Sequence, residues 1–471
     1  MDEKIKVNEQ ESIQELLRSI PSVEKLAQSL EQYDLPQSII NSIIRAELNE
    51  IRSHIVASKK KPKFDISKAV QKALKNFSRS RIQKVINGTG VILHTNLGRA
   101  PLDPKAAEHV AKIATSYNNL EFDITKGKRG IRGVYAEQLL NQICGSEATS
   151  IVNNCAAALV IILKELISSD RKEVIISRGE LVQIGGGFRI PDILESSGAK
   201  LKEVGTTNKT TLTDYEDSIN SHTALILKVH QSNFYMEGFV ESPPRCDLSK
   251  LAKSYSIPLV EDLGSGAIIP TSDWEGTPLE PTPETVIQSG VDLVCFSGDK
   301  LFGGPQAGII AGREDLVKRI KSNPFYRCLR CDKLILSGLE YTAESYLNKS
   351  FEENVFIHSV GNQTLDQLRE RAENIVGNLK SAKLTFAAVS TMSTVGGGTL
   401  PKARIPSAGI ELTHKLMSAT KLQLELLHKP ATPIASKIED EKLLIDLRTI
   451  PECEDHYLYE ILSGLEGKIS T

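Results

Sequence analysis

Apolar positions change their spacing twice along the chain. Over the first eighty residues they repeat at helical intervals. Ile40, Ile43, Ile44, Leu48, Ile51 and Ile55 follow Pro36, a residue suited to a first helical turn. Ser22 precedes a shorter helical run that ends near Tyr33-Asp34. Lys59-Lys-Lys-Pro-Lys63 breaks the pattern. These residues predict a small helical domain over 1–62 and a basic linker over 63–85. From about Val85 short apolar runs alternate with helical stretches: Ser150–Val152, Glu173–Ile176, Ala224–Leu227, Pro258–Val260 and Leu293–Phe296. Strands alternating with helices imply a mainly parallel sheet covered on both faces, here an α/β domain over 86–335. Ligands of such sheets bind at the carboxyl ends of the strands. From about Leu336 helices dominate. Strands are expected again at Ala403–Ile405 and Lys442–Asp446, predicting an α+β C-terminal domain over 336–471.

Composition adds bounds. With 471 residues, 40% apolar and 25% charged, the chain has material for two or three domains and an ordinary globular core. The net charge of −2 hides an asymmetry. Arg52 to Lys84 holds eleven Lys or Arg against the single acid Asp65. Such a stretch suits an anionic partner such as nucleic acid, or simply a solvated helix face. Seven scattered cysteines are not a disulfide framework. The start, Met1-Asp-Glu-Lys-Ile, lacks a signal pattern, and no apolar run approaches the ~18 residues a membrane span requires. A cytoplasmic protein with no membrane association is expected.

Two strand ends carry the chemistry. Pro258-Leu-Val-Glu-Asp-Leu-Gly-Ser-Gly266 ends a strand at Asp262, and Ser297-Gly-Asp-Lys300 ends another. Alone, Asp262 reads as a helix cap and Lys300 as a solvated lysine. Together they match the needs of pyridoxal phosphate (PLP). A carboxylate keeps the pyridine nitrogen protonated, so the ring accepts electrons, and a lysine holds the cofactor and shuttles protons. Ser150-Ile-Val-Asn-Asn-Cys-Ala-Ala-Ala158 supplies a strand and then small residues opening a helix, an anion site at which Asn154, Cys155 and Ala156 would meet the phosphate. Ser297 ends the lysine's strand and completes the expected cofactor set. Phosphate helix, aspartate, lysine is the order of the aspartate-aminotransferase-like (fold type I) PLP enzymes.

At this point the chain resembles one family, the bacterial selenocysteine synthases (L-seryl-tRNA(Sec) selenium transferases). The resemblance rests on Leu17-Arg-Ser-Ile-Pro-Ser-Val23, Ile86-Asn-Gly-Thr-Gly-Val-Ile-Leu-His-Thr-Asn-Leu-Gly-Arg99, Glu203-Val-Gly-Thr-Thr-Asn208 and Val229-His-Gln-Ser-Asn233. It continues through Phe296-Ser-Gly-Asp-Lys-Leu301, Gly303-Gly-Pro-Gln-Ala-Gly308, Arg327-Cys-Leu-Arg-Cys-Asp-Lys333, Ser393-Thr-Val-Gly-Gly-Gly398 and Asp446-Leu-Arg-Thr449. Thr89 to Arg99 and Ser297 to Gly308 are its most specific parts.

The resemblance implies a PLP-dependent transferase that converts seryl-tRNA(Sec) to selenocysteinyl-tRNA(Sec). Lys300 would remove the α-proton, the β-hydroxyl would leave, and selenium from selenophosphate would take its place. It implies that Arg99, Arg327, Arg330 and Asp299 serve the anionic donor, where arginine's planar fork suits a tetrahedral oxyanion. Lys300, Asp299 and Arg99 are then the catalytic set. It implies that the amino-terminal helices bind the selenocysteine tRNA by shape and backbone contact, and that the chain forms a homo-oligomer, a ring of dimers such as a decamer, with sites built across subunits.

The match departs at Lys128-Arg-Gly-Ile-Arg-Gly-Val-Tyr-Ala136, where Ile131, Gly133, Val134 and Tyr135 replace polar residues common in the family while Arg129 and Arg132 remain. Cys155 stands where an asparagine is common. Cys328-Leu-Arg-Cys331 is a lone CxxC without two further ligands at zinc spacing, so no metal is expected, although its thiols are candidates to react with selenide. Two rivals compete. A PLP-dependent lyase acting on a small amino compound would share Asp262 and Lys300 but would not need the amino-terminal helices. A non-catalytic tRNA-binding protein would not need to keep Lys300, Asp262 and Asp299.

Overall fold

A computed structural model describes residues 13–30, 33–60 and 65–465, in two compact units, Met1–Val85 and Ile86–Thr471. Residues 61–63 of the expected break at Lys59–Lys63 lie outside the described residues. In the first unit the helix Val23–Ser29 is capped by the Ser22 hydroxyl, which accepts from Lys25 N at 3.2 Å. The helix Gln37–Ser58 starts directly after Pro36 and buries Ile44, Leu48, Ile51 and Ile55. Those positions repeat every three or four residues and so share one face. A third helix, Ile66–Arg79, is capped by Asp65, whose carboxylate accepts from Ser67 N at 2.8 Å. Val70 and Leu74 on this helix join the same core. Most of the stretch expected as a basic linker is therefore helical. Its charges sit on the outside, with Lys68, Lys72 and Lys75 exposed at helical spacing while Val70 and Leu74 are buried.

The second unit holds two sheets. The strands are β1 (Ile86–Gly88), β2 (Ala148–Val152), β3 (Glu173–Ser177), β4 (Lys200–Val204), β5 (Thr223–Val229), β6 (Leu259–Gly264), β7 (Leu293–Ser297), β8 (Gly308–Gly312), β9 (Leu384–Ser393), β10 (Ile405–His414), β11 (Ile434–Glu439) and β12 (Lys442–Asp446). The large sheet runs β2-β8-β7-β6-β5-β3-β4, with only β8 reversed against its neighbours. Alternate side chains feed two cores, as a two-faced sheet requires. Ile175, Ile226, Val294 and Ile309 enter one. Val174, Leu225, Val260, Cys295 and Ile310 enter the other, with Leu159, Ile162 and Leu163 of the helix Cys155–Leu166. The polar residues just after β2, β6 and β7 thus gather at one edge.

The small sheet runs β1-β11-β12-β10-β9, and its core begins at Leu365 and takes in Ile86 from far upstream. The helix Lys333–Leu347 buries Leu336, Leu339 and Ala343 in the large-sheet core instead. The small-sheet core starts at Leu365, while Val395, Leu400, Ala403 and Ile405 return to the large-sheet core. No helix among the described residues is long and apolar enough to cross a membrane.

Candidate active site

Register builds the centre of the site. β6 and β7 are parallel neighbours, and Asp262 lies directly across from Cys295. Five residues past Cys295, after a turn at Gly298, Lys300 returns beneath the strand ends; Lys300, Asp299, Asp262 and Ser297 are all buried. Burial pushes the Lys300 amine below the usual lysine range, with Arg99 adding to the effect and Asp262 opposing it. Burial pushes the Asp262 carboxyl up, and the Lys300 charge is the largest opposing influence. Each group therefore depends on the other to stay charged.

Glycines keep this chamber open. A Cβ added to Gly264 would sit 3.8 Å from Lys300 Nζ and 3.9 Å from Asp262 Oδ1. One added to Gly398, at φ +73°, would sit 3.9 Å from Lys300 Nζ and 3.5 Å from Asn233 Cβ. Gly308 has a different task. In β8 it lies between Ser297 and Val152, and a Cβ there would fall 2.1 Å from Asn154 O and 2.9 Å from Cys155 N. The start of the helix Cys155–Leu166 can press onto the sheet only because that side chain is missing. Asn154 caps this helix by accepting from Ala157 N at 2.8 Å. The amides of Cys155 and Ala156 have no carbonyl within the helix to receive them, so they are available to an anion.

These residues fit PLP. The buried atoms Asn153 Oδ1, Asn233 Oδ1 and Ser265 Oγ have no hydrogen-bond partner among the described residues. Buried polar atoms usually find one, and all three belong to segments lining the space between Lys300, Asp262 and the helix start.

An ion pair adjoins the lysine. Arg99, at φ +65°, reaches Asp299 with one guanidinium nitrogen 3.1 and 2.9 Å from the two carboxylate oxygens. Ala100 N donates to Asp299 O at 3.3 Å, so the loop ending at Arg99 is tied to the lysine turn by backbone as well. Arg327 and Arg330 lie elsewhere. They line a cavity of about 460 Å³ with Arg129, Arg132, Tyr326 and Lys321, and Arg99 is not part of that lining. Backbone contacts still link this cavity to the cofactor side: Asn153 N donates to Leu329 O at 3.0 Å, and Val152 bridges to Arg330. Inside it Glu121 accepts from Arg132 at 2.7 Å, Arg129 at 3.2 Å and Arg330 at 3.4 Å. The structure thus unites Lys300, Asp299, Asp262, Arg99 and Cys155, and places Arg327 and Arg330 in an adjoining basic cavity.

Sequence reasoning missed Glu121, the counter-charge of that cavity, which lies in an irregular loop with no spacing to mark it. It also missed Cys295. The thiol groups of Cys155 and Cys295 and a carboxylate oxygen of Asp262 lie within 4.8 Å of one another, and the signal was the strand register itself. Of the CxxC pair, Cys328 is exposed and Cys331 buried, with its thiol pushed by burial up to about 12. Such a thiol is a poor nucleophile. The Asp446-Leu-Arg-Thr449 segment is structural: Arg448 is fully buried and donates to the carbonyls of Val360, Gln363 and Pro406 at 2.7–2.9 Å.

Residues 85–451 match the family model described as SelA: L-seryl-tRNA selenium transferase. A protein from Aquifex aeolicus named L-seryl-tRNA(Sec) selenium transferase is 43% identical over 437 residues, 92% of this chain and 95% of the relative. One of the same name from Carboxydothermus hydrogenoformans is 41% identical over 461 residues, 96% of this chain and 98% of the relative. Among solved structures, a D-glucosaminate-6-phosphate ammonia-lyase superposes with a TM-score of 0.57, covering 83% of this chain and 98% of the lyase at 21% identity. That likeness speaks for the α/β fold alone.

Proposed function

Because the chain belongs to the L-seryl-tRNA(Sec) selenium transferase family, we propose a division of labour among its residues for the reaction that family carries out. The chain converts seryl-tRNA(Sec) to selenocysteinyl-tRNA(Sec) with PLP as cofactor, on the aminotransferase-like fold type I scaffold. The observation that carries the assignment is the buried Lys300 facing buried Asp262 across adjacent strand ends, with the Arg99–Asp299 pair beside it.

PLP supplies an electron sink for negative charge at the substrate α-carbon. Asp262 would hold the proton on the ring nitrogen, and the amides of Cys155 and Ala156, at the helix start that Asn154 caps through Ala157 N, would receive the phosphate. Ser297 closes the same floor. Lys300 Nζ would hold the cofactor and, once released by the seryl amine, take the α-proton. Burial holds its amine below the usual lysine range, which favours the unprotonated form that accepts the proton.

Hydroxide is a poor leaving group, so the β-hydroxyl needs a proton as it departs. Lys300, having just gained one, would supply it. Selenium from selenophosphate would then bond to the β-carbon as its bond to phosphorus breaks, water taking the phosphoryl group as phosphate and the proton so released returning through Lys300 to the α-carbon. Arg99, positioned by Asp299, would orient the donor beside Lys300, and Arg327 and Arg330 would add charge from the adjoining cavity. The shared glutamate Glu121 keeps that cavity from binding anions indiscriminately.

Substrate RNA would be met by the amino-terminal unit. Support comes from its basic face, Lys68, Lys72 and Lys75, exposed along one side of a single helix. A homo-oligomer, read here as a ring of dimers, gains support from the exposed apolar side chains Phe122, Ile124, Ile131 and Tyr135, which line one groove. Acting on a charged tRNA, the chain would work in the cytoplasm. Removing residues before Val85 should abolish conversion of seryl-tRNA(Sec). Retained conversion by the shortened chain would remove the RNA role from those helices.

A further inference from the structure

We propose that the thiols of Cys155 and Cys295 act as a protonated donor pair that holds the Asp262 carboxylate in place and tunes its charge toward the cofactor ring. The inference rests on the PLP reading above. Cys155 opens the helix Cys155–Leu166 and its Sγ donates to Asp262 Oδ1 at 3.5 Å. Cys295 faces the same carboxylate from β7, directly across the parallel register. The three groups come from three different elements and converge within 4.8 Å.

Cys295 is held as a thiol. Its bond with Cys155, burial, and the charge of Asp262 all push the Cys295 thiol upward, well above the ordinary cysteine value. Cys295 therefore keeps its hydrogen, and Cys155 meets the carboxylate through the 3.5 Å contact of its Sγ with Asp262 Oδ1. Both bonds hold the Asp262 carboxyl down against its burial, as does the Gly264 amide. The other charged groups facing this carboxylate are Lys300, with Asp299 and Arg99 behind it. His230 donates its backbone N–H to Asp262 O at 2.9 Å, while its ring is turned to Glu280.

Thiols are weaker donors than hydroxyls or amides. Two of them keep a buried carboxylate ionised without neutralising it, which leaves charge for the ring nitrogen. Cys155 and Cys295 are thus positioning residues that act through Asp262.

The test uses the full-length, cofactor-loaded chain with Cys155→Ala, Cys155→Ser and Cys295→Ser. It reads the pH titration of the bound cofactor's visible absorption, the cofactor dissociation constant and Tm. Removing one donor should raise the titration midpoint by about half to one pH unit and weaken cofactor binding several-fold. Serine, which still donates, should return Cys155→Ser close to wild type and leave Cys295→Ser close to it. A Cys155→Ala chain with wild-type midpoint and affinity overturns the proposal. So does a serine variant displaced as far as the alanine, because then the sulfur only fills space. A wild-type chain showing no cofactor absorption overturns the PLP reading itself, and the wild type alone reveals that case.

Discussion

Gly308→Ala tests whether the phosphate end of the cofactor site depends on close packing between β8 and the helix Cys155–Leu166. The added Cβ would lie 2.1 Å from Asn154 O, 2.5 Å from its carbonyl carbon and 2.9 Å from Cys155 N. All three are backbone atoms, so no side chain can swing aside. Ordinary carbon contacts begin near 3.5 Å, so the helix start must retreat by roughly 1 Å. Overpacking of this kind costs about 1–3 kcal/mol. If the displacement falls on the amides of Cys155 and Ala156, it appears as roughly 5- to 150-fold weaker cofactor binding. The assay is titration of the cofactor-free chain with PLP, followed by its visible absorption, with Tm measured in parallel. Gly377→Ala is the control, since a Cβ there meets nothing within 4 Å. A Gly308→Ala chain that binds cofactor as tightly as wild type would show that the helix start is not the phosphate site.

Three further outcomes follow from the same geometry. Replacing Lys68, Lys72 and Lys75 together by glutamine should weaken tRNA binding and lower the slope of log affinity against log salt by roughly two, measured by filter binding at several salt concentrations; an unchanged slope would remove this face from the RNA contact. Glu121→Gln should release Arg129, Arg132 and Arg330 and tighten binding of phosphate, a stand-in tetrahedral anion, by about 2- to 5-fold in calorimetry; weaker binding would mean Glu121 is needed to hold the arginines in place. His358, buried 2.9 Å from Tyr346 Oη, is lowered by burial to about 4. Its unfolded value is near 6.5, so the folded chain binds fewer protons between those values. Stability is then full above pH 6.5 and falls as pH drops toward 4, by up to about 3 kcal/mol. Tm against pH should be flatter in His358→Gln over that window, and an equal slope would exclude His358 as the cause.

The sequence made the buried parts of the fold easiest to read. Ser150–Val152, Glu173–Ile176, Ala224–Leu227 and Leu293–Phe296 are apolar on both faces, and each lies in the large sheet. Pro258–Val260 lies there too, although its strand starts at Leu259. Lys200–Val204 escaped notice because it is the edge strand, and its outward positions are lysine and glutamate. Gly308–Gly312 escaped because glycine bounds a short strand whose signal is absorbed by the preceding loop motif. Charge also misled: the lysines of 63–85 suggested a linker, while Val70 and Leu74 were already at helical spacing. For the site, residue types at strand ends were enough to point to Asp262 and Lys300, while Asp299 entered only through the family resemblance. Glu121 and Cys295 needed three dimensions, one because its loop is irregular and the other because only strand register sets it against Asp262.

The most direct test of the central claim supplies purified chain, loaded with PLP, with seryl-tRNA(Sec) and selenophosphate, and looks for selenocysteinyl-tRNA(Sec). Wild type should form it, and Lys300→Ala, folded to the same Tm, should not. Product from the alanine variant, or none from wild type, would contradict Lys300 as the residue on which the reaction turns.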